Sequence, residues 1–214
     1  MKKLILCAVL FSASVSANAQ GYKETFDSNS LEWTECAYAN GIGTTIINNG
    51  TMTIQSKGVR IGFSKLTGGI RTMDVKDATF FETHCYAPID VMKPFEIHAL
   101  VNVKNFTDDT LVGLVFNYKD NGNFYTFSFN NSIVKFVRYE NADVVGEIMQ
   151  GIKWSKKRNA DMKWSLYSDG QTLQFNIDDV KILSIRYMPL FFNGFGFYTF
   201  GKQELVVDEV EFRQ

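Results

Sequence analysis

The sequence predicts an all-β protein in which two antiparallel sheets pack face to face. Three observations predict it. Turn-forming pairs recur at short intervals, at Asn49-Gly50, Asn121-Gly122, Asn130-Asn131, Asn141-Ala142, Asp169-Gly170 and Asp178-Asp179, and Asn, Asp and Gly tolerate the positive φ angles of tight hairpins. The stretches between them are rich in Phe, Val, Ile, Thr and Tyr, the residues that suit a pleated, half-buried surface. No segment carries a sustained helical period, and with 3 prolines and no internal repeat the chain reads as a sandwich rather than a propeller.

The elements follow in chain order. Met1-Lys2-Lys3, the apolar run from Leu4 to Phe11 and the Ala17-Asn18-Ala19 exit have the form of a secretory leader, residues 1–19, cut after Ala19. The apolar run is too short to span a bilayer. Residues 20–214 are then expected as one exported domain, periplasmic, at the cell surface or extracellular, with strands over 22–26, 33–37, 44–48, 51–55, 80–86, 95–103, 111–118, 124–129, 132–140, 144–149, 162–168, 172–177, 180–185, 194–200 and 204–212. The least strand-like stretch, 58–77, reads as a long connection. Lys and Arg number 22 against 23 Asp and Glu, a balance that offers nucleic acid or an anionic membrane no electrostatic footprint. Outside the leader the cysteines are Cys36 and Cys85. Export would permit a disulfide between them, although spacing alone does not bring their Cα atoms into range, and two buried thiols are the alternative.

The succession "FEIHALVNV", "LVGLVFNYKDNGNFYTFSF", "SIVKFVRY", "MKWSLYSDGQTLQFNIDDVKI", "GFGFYTF" and "LVVDEVEF" resembles the concanavalin A-like lectin and glucanase superfamily. It is most similar to the laminin-G-like and sugar-hydrolase-like jelly rolls of exported bacterial proteins. Phe26, Trp33 and the hairpin 47–54 match the start of such domains. The resemblance implies a jelly-roll sandwich that handles carbohydrate on its concave sheet, with calcium in some relatives. It identifies a fold and not a reaction.

Strand parity sorts the side chains. Phe95, Ile97, Ala99, Val101 and Val103 read as one buried set and Tyr125, Phe127 and Phe129 as another, with Phe116, Trp164 and Phe175 completing the core. If the strands over 95–140 form a meander, the opposite face gathers Glu96, His98, Asn102, Asn117, Thr126, Ser128, Lys135 and Tyr139. Donors, acceptors and an aromatic ring in one place suit a polyhydroxylated ligand, and "KWSKKR" would set Trp154 at its rim. The alternative is an ordinary solvated face. Glu96 and His98, two apart on one strand, are the candidates for acid–base chemistry.

The E-x-D-x-x-E carboxylate motif of laminarinase-like relatives is missing, and Asp208, Glu209 and Glu211 read as a charged closing strand. The sequence therefore favours a non-catalytic carbohydrate-binding or surface-attachment module. The alternatives are a glycoside hydrolase acting on a polysaccharide or disaccharide, and an assembly protein that binds another exported protein. No cofactor is expected and no zinc signature is present. Asp108, Asp109, Asp120 and Asn121 are oxygen donors of the kind calcium takes, without the spacing of a known loop.

Overall fold

The computed structural model describes residues 21–37, 43–56, 80–104, 106–153 and 159–214. Residues 1–19, the stretch 58–77 and Trp154 lie outside them. Every regular element described is a strand: β1 (Gly21–Glu24), β2 (Thr34–Ala37), β3 (Gly43–Asn48), β4 (Thr51–Ser56), β5 (Phe80–Tyr86), β6 (Phe95–Lys104), β7 (Leu111–Asp120), β8 (Asn123–Phe129), β9 (Ile133–Glu140), β10 (Asp143–Gly151), β11 (Ala160–Ser168), β12 (Thr172–Ile177), β13 (Val180–Arg186), β14 (Gly194–Phe200) and β15 (Gln203–Arg213). Sheet A runs β13-β12-β11-β6-β15-β4-β3, with β1 also on β15, and sheet B runs β10-β9-β8-β7-β14-β5-β2. All of these pairings are antiparallel.

Alternation builds the core. Phe95, Ile97, Ala99, Val101 and Val103 of sheet A and Tyr125, Phe127 and Phe129 of sheet B all turn inward and are buried. Rings from the two sheets meet directly: Phe127 stacks on Phe175 at 5.5 Å, and Phe129 sets its ring against Trp164 at 5.4 Å. Each fully buried ring contributes roughly 1.5 to 3 kcal/mol of transfer free energy, so these contacts hold the sheets face to face.

The hairpins are built as their residues dictate. Asn49 and Gly50, Asn141 and Ala142, and Asp178 and Asp179 have positive φ at both positions, the requirement of the two-residue turn whose twist matches its strands. At Asn130 the side chain does the work instead, its Oδ1 accepting the N–H groups of Ser132 and Ile133.

Two expectations are corrected. The strands over 95–140 do not form one meander: β6 lies in sheet A between β11 and β15, whereas β7 to β10 are consecutive in sheet B. After Lys104 the chain passes from sheet A to sheet B, and Phe106, in that connection, is buried against Phe129. The possible Cys36–Cys85 disulfide is also absent: of the two alternatives the structure holds the thiol, with Cys85 free and buried. In the β2–β5 register Cys36 lies opposite Glu82, about 10 Å along the strand from Cys85, which exceeds the Cα separation a disulfide bridges. Burial, reinforced by the charge of Glu24, pushes the Cys85 thiol well above its ordinary pKa.

Candidate functional site

The face of sheet B that points away from the core is itself aromatic. Val115, Tyr118, Phe124 and Tyr198 form a second buried cluster there, with Leu111, Tyr139 and Phe200 packed against it. Its members come from β7, β8, β9 and β14, which the order of sheet B sets side by side. Strand β5 completes the face, because the alternation that sends Phe81 and Cys85 into the core sends Glu82, His84 and Tyr86 outward.

Rings form a continuous row across these strands. Tyr139 stacks on Phe124 at 4.7 Å, Phe124 on Tyr118 at 6.0 Å, and Tyr118 on His84 at 3.8 Å. His84 then meets Tyr86 at 6.5 Å, the two rings nearly perpendicular. Faces turned to one another in this way are used up by their neighbours, so the middle of the row is a floor. Its accessible parts are the ends: half-buried Tyr139 at one side, and Tyr86, 62% exposed, at the other.

Two glycines let the floor close. A Cβ on Gly113 would fall 1.9 Å from the carbonyl oxygen of Phe127, and one on Gly196 would fall 1.9 Å from that of Thr83. Only glycine permits the backbones this approach. Tyr198 sits between Glu82 and Gly113 in register, and its side chain hydrogen-bonds Tyr139. Burial, with the Tyr139 and Glu82 side chains nearby, pushes the Tyr198 phenol well above its ordinary pKa. Glu82 is fully buried beside it.

The polar groups lie at the two margins. On the β5 side, His84 Nε2 shares a 2.9 Å hydrogen bond with Thr34 Oγ1, while its Nδ1 has no protein partner. Burial pulls the His84 pKa down to about 4, so the ring is neutral near pH 7. On the β10 side, Lys135 pairs with Glu147 at 3.2 Å beside Tyr139. Glu82 and Glu147, the strand carboxylates described on this face, lie five strand spacings apart, roughly 24 Å.

The residues expected to share one site are divided. Thr126, Lys135 and Tyr139 do lie on this face, Thr126 buried within the floor at 1% exposure. Glu96 and His98 lie on the opposite side of the molecule, on the outer face of sheet A, bonded to each other at 3.1 Å. Glu211, across from His98, and Arg213, across from Glu96, make them part of a surface charge ladder.

Asn117 is not on either outer face. It is an extra residue in β7, at φ 49°, and its Oδ1 accepts the N–H groups of Phe191 and Phe192 at 2.8 and 3.0 Å. This bulge reverses the alternation, so Tyr118 takes the outward position. A similar irregularity between Val207 and Glu209 leaves Asp208 exposed. Asp120 serves its own hairpin, accepting from the Gly122 N–H and the Asn123 amide, and Asn121 accepts the Tyr118 hydroxyl. Among the described residues no group of three or more carboxylate, histidine or cysteine side chains is placed to hold a metal ion. No helix among them is long and apolar enough to cross a membrane.

The carbohydrate binding module CBM66 from Bacillus subtilis superposes with a TM-score of 0.53 at 17% identity, covering 84% of this chain and 95% of that one. The Bacillus licheniformis β-glucanase gives 0.56 at 10% identity, covering 91% and 98%. The fold is the concanavalin A-like jelly roll. A β-1,3-1,4-glucanase (lichenase) from a mouse hindgut metagenome matches the same jelly roll at 0.57 and 9% identity, covering 90% and 98%. No family model and no curated sequence matches the chain, so these similarities speak for the fold.

His84, Tyr86, Tyr118 and Tyr198 are the members of this face that sequence reasoning passed over. Parity along "FETHCY" alone would have turned Glu82, His84 and Tyr86 outward. Placing that strand beside the β7–β10 meander required the pairing of β5 with β14 and of β14 with β7.

Proposed function

We propose that the protein is an exported, non-catalytic module that binds carbohydrate on the outer face of sheet B. One observation carries the reading: an aromatic row, on a sheet face turned away from the core, ends in the accessible rings of Tyr139 and Tyr86 and is bordered by hydrogen-bonding groups at both margins. Sugars are bound through this combination of apolar ring surface and directional polar contacts. The carbohydrate-binding module and the glucanases that share the fold handle sugars, which supports the same class of ligand here. The wide separation of Glu82 and Glu147 speaks against catalysis, because glycosidase carboxylates stand about 5 to 10 Å apart across the scissile bond.

The test is calorimetric titration of mixed-linkage β-gluco-oligosaccharides and mucin-derived O-glycans. Lys135→Ala should weaken binding about 3- to 10-fold, the worth of an ordinary hydrogen bond, and His98→Ala, on the far face, should leave it unchanged. Loss in His98→Ala with none in Lys135→Ala would move the site to sheet A. Release of reducing ends from either substrate, abolished by Glu96→Gln, would establish the hydrolase instead.

A further inference from the structure

At the β5 end of the aromatic row, Tyr86 is joined by two more exposed rings. Tyr86 is 62% exposed, Phe191 70% and Phe192 37%. Phe191 and Phe192 belong to the connection between β13 and β14, and Gly194, which follows them, pairs with Tyr86 on one side and Tyr118 on the other. Ala87, next to Tyr86, is hydrogen-bonded to Asn193, next to Phe192, and this ties the end of β5 to the loop.

The loop is held in place by more than its own sequence. Asn117, 7% exposed and in the left-handed region that asparagine tolerates better than most non-glycine residues, spends its side-chain carbonyl on the backbone of both phenylalanines. Leu190 is anchored in the core, and Asn193 exchanges two bonds with Ala87, its backbone oxygen accepting at 2.9 Å and its amide donating at 2.8 Å. Phe191 is thus an exposed apolar side chain on a fixed backbone, the form of a rigid aromatic anchor whose ordering entropy is already spent.

We propose that Tyr86, Phe191 and Phe192 form an aromatic platform that takes a sugar ring of a glycan chain, beyond the floor and continuous with it. This rests on the carbohydrate reading of the sheet B face and extends it. Continuity comes from the His84–Tyr86 contact, which joins the platform to the row. The exposed rings of Tyr86 and Phe191 suit the C–H side of a pyranose, while the Lys119 ammonium lies over the Phe192 ring, 5.8 Å from its centroid. Among the described residues the charges around the platform are of both signs, Lys93 paired with Asp90 at 3.4 Å and Lys119 next in sequence to Asp120, which favours a neutral glycan over an anionic bilayer. Tyr139 and Tyr86 lie on β9 and β5, four strand spacings or roughly 19 Å apart, more than a disaccharide bridges. The platform therefore selects for chain length.

The experiment titrates a mixed-linkage β-gluco-hexasaccharide, the corresponding disaccharide and mucin-derived O-glycans against the full chain and its Tyr86→Ala, Phe191→Ala and Asn117→Ala variants. Thermal midpoints are measured in parallel. Tyr86→Ala and Phe191→Ala should weaken the longer glycans about 5- to 30-fold, the loss shrinking for the disaccharide, with midpoints unchanged because both rings are exposed. Asn117→Ala should lose similar affinity together with some stability. Wild-type affinity in both ring variants overturns the platform. So does binding of the wild type to phosphatidylcholine–phosphatidylserine vesicles, or self-association in sedimentation, that the ring variants lose while keeping glycan affinity. If Lys135→Ala weakens binding and the ring variants do not, the platform falls and the sheet face stands. If only the ring variants weaken it, the platform stands and the Lys135 margin drops out of the site. A wild type that binds none of the glycans removes both.

Discussion

His84 is set between the Tyr118 ring and the Thr34 hydroxyl, and its burial gives the fold a pH dependence. Above pH 6.5 the imidazole is neutral in the folded and unfolded chains alike, so its contribution to stability is fully present. Between pH 6.5 and about 4 the unfolded chain binds a proton that the folded chain refuses, and stability falls across that window and levels off below it. A His84→Gln variant should show a shallower loss of urea midpoint between pH 7 and pH 4.5 than the wild type. Parallel curves for the two proteins would assign the acid sensitivity to other groups. The same residue shows how far a sequence can be read: its outward direction follows from alternation along "FETHCY", but its neighbour Tyr118 reaches that face only because Asn117 adds a residue to β7. A bulge leaves no mark in the hydrophobic pattern that parity alone can detect.

At the scale of elements, the tight turns and close strand approaches make the most direct claims. Ala142 holds a φ of 67° in the β9–β10 hairpin, where a methyl group is unfavourable and glycine is not. Ala142→Gly should stabilise the protein by about 0.5 to 1 kcal/mol, seen as a rise of roughly 1 to 4 °C in thermal midpoint; a fall would mean that the entropy glycine adds to the unfolded chain outweighs the relief. Gly196 is the opposite case. A methyl there meets the β5 backbone at 1.9 Å, backbone cannot rotate aside as a side chain can, and Gly196→Ala should cost about 3 kcal/mol or more. An unaltered midpoint would show that β5 and β14 separate freely at this point.

For the whole molecule, the two sheets share one core, in which rings of sheet B stack on rings of sheet A, so the fold should open as a unit. Cys85 reports this. It is 1% exposed on β5, in the interior of sheet B, and its thiol is held protonated. In a Cys36→Ser variant of residues 20–214, labelling of Cys85 by a thiol reagent should be negligible in buffer. With increasing urea it should appear along the same transition as the loss of tryptophan fluorescence. Labelling at urea concentrations well below that transition would reveal that β5 detaches separately.

What the sequence determined by itself is what local physics controls. The period-two alternation of Phe95 to Val103 and of Tyr125 to Phe129 assigns core side chains because successive Cβ atoms of a strand must oppose one another. Pairs such as Asn49-Gly50 and Asp178-Asp179 assign hairpins because few residues accept positive φ. These reach no further than one strand and its next neighbour. Only the tertiary structure decided which strands lie side by side, and so it alone separated Glu96 and His98 from Lys135 and Tyr139, put β5 within the same sheet as the β7–β10 meander, and kept Cys36 and Cys85 apart. The connection after Lys104 and the hairpin at Asn141 both join consecutive strands, yet one changes sheet and the other does not. The choice is made by what each strand can bury against the other layer, Phe106 included, and that is a property of the assembled core rather than of any segment within it.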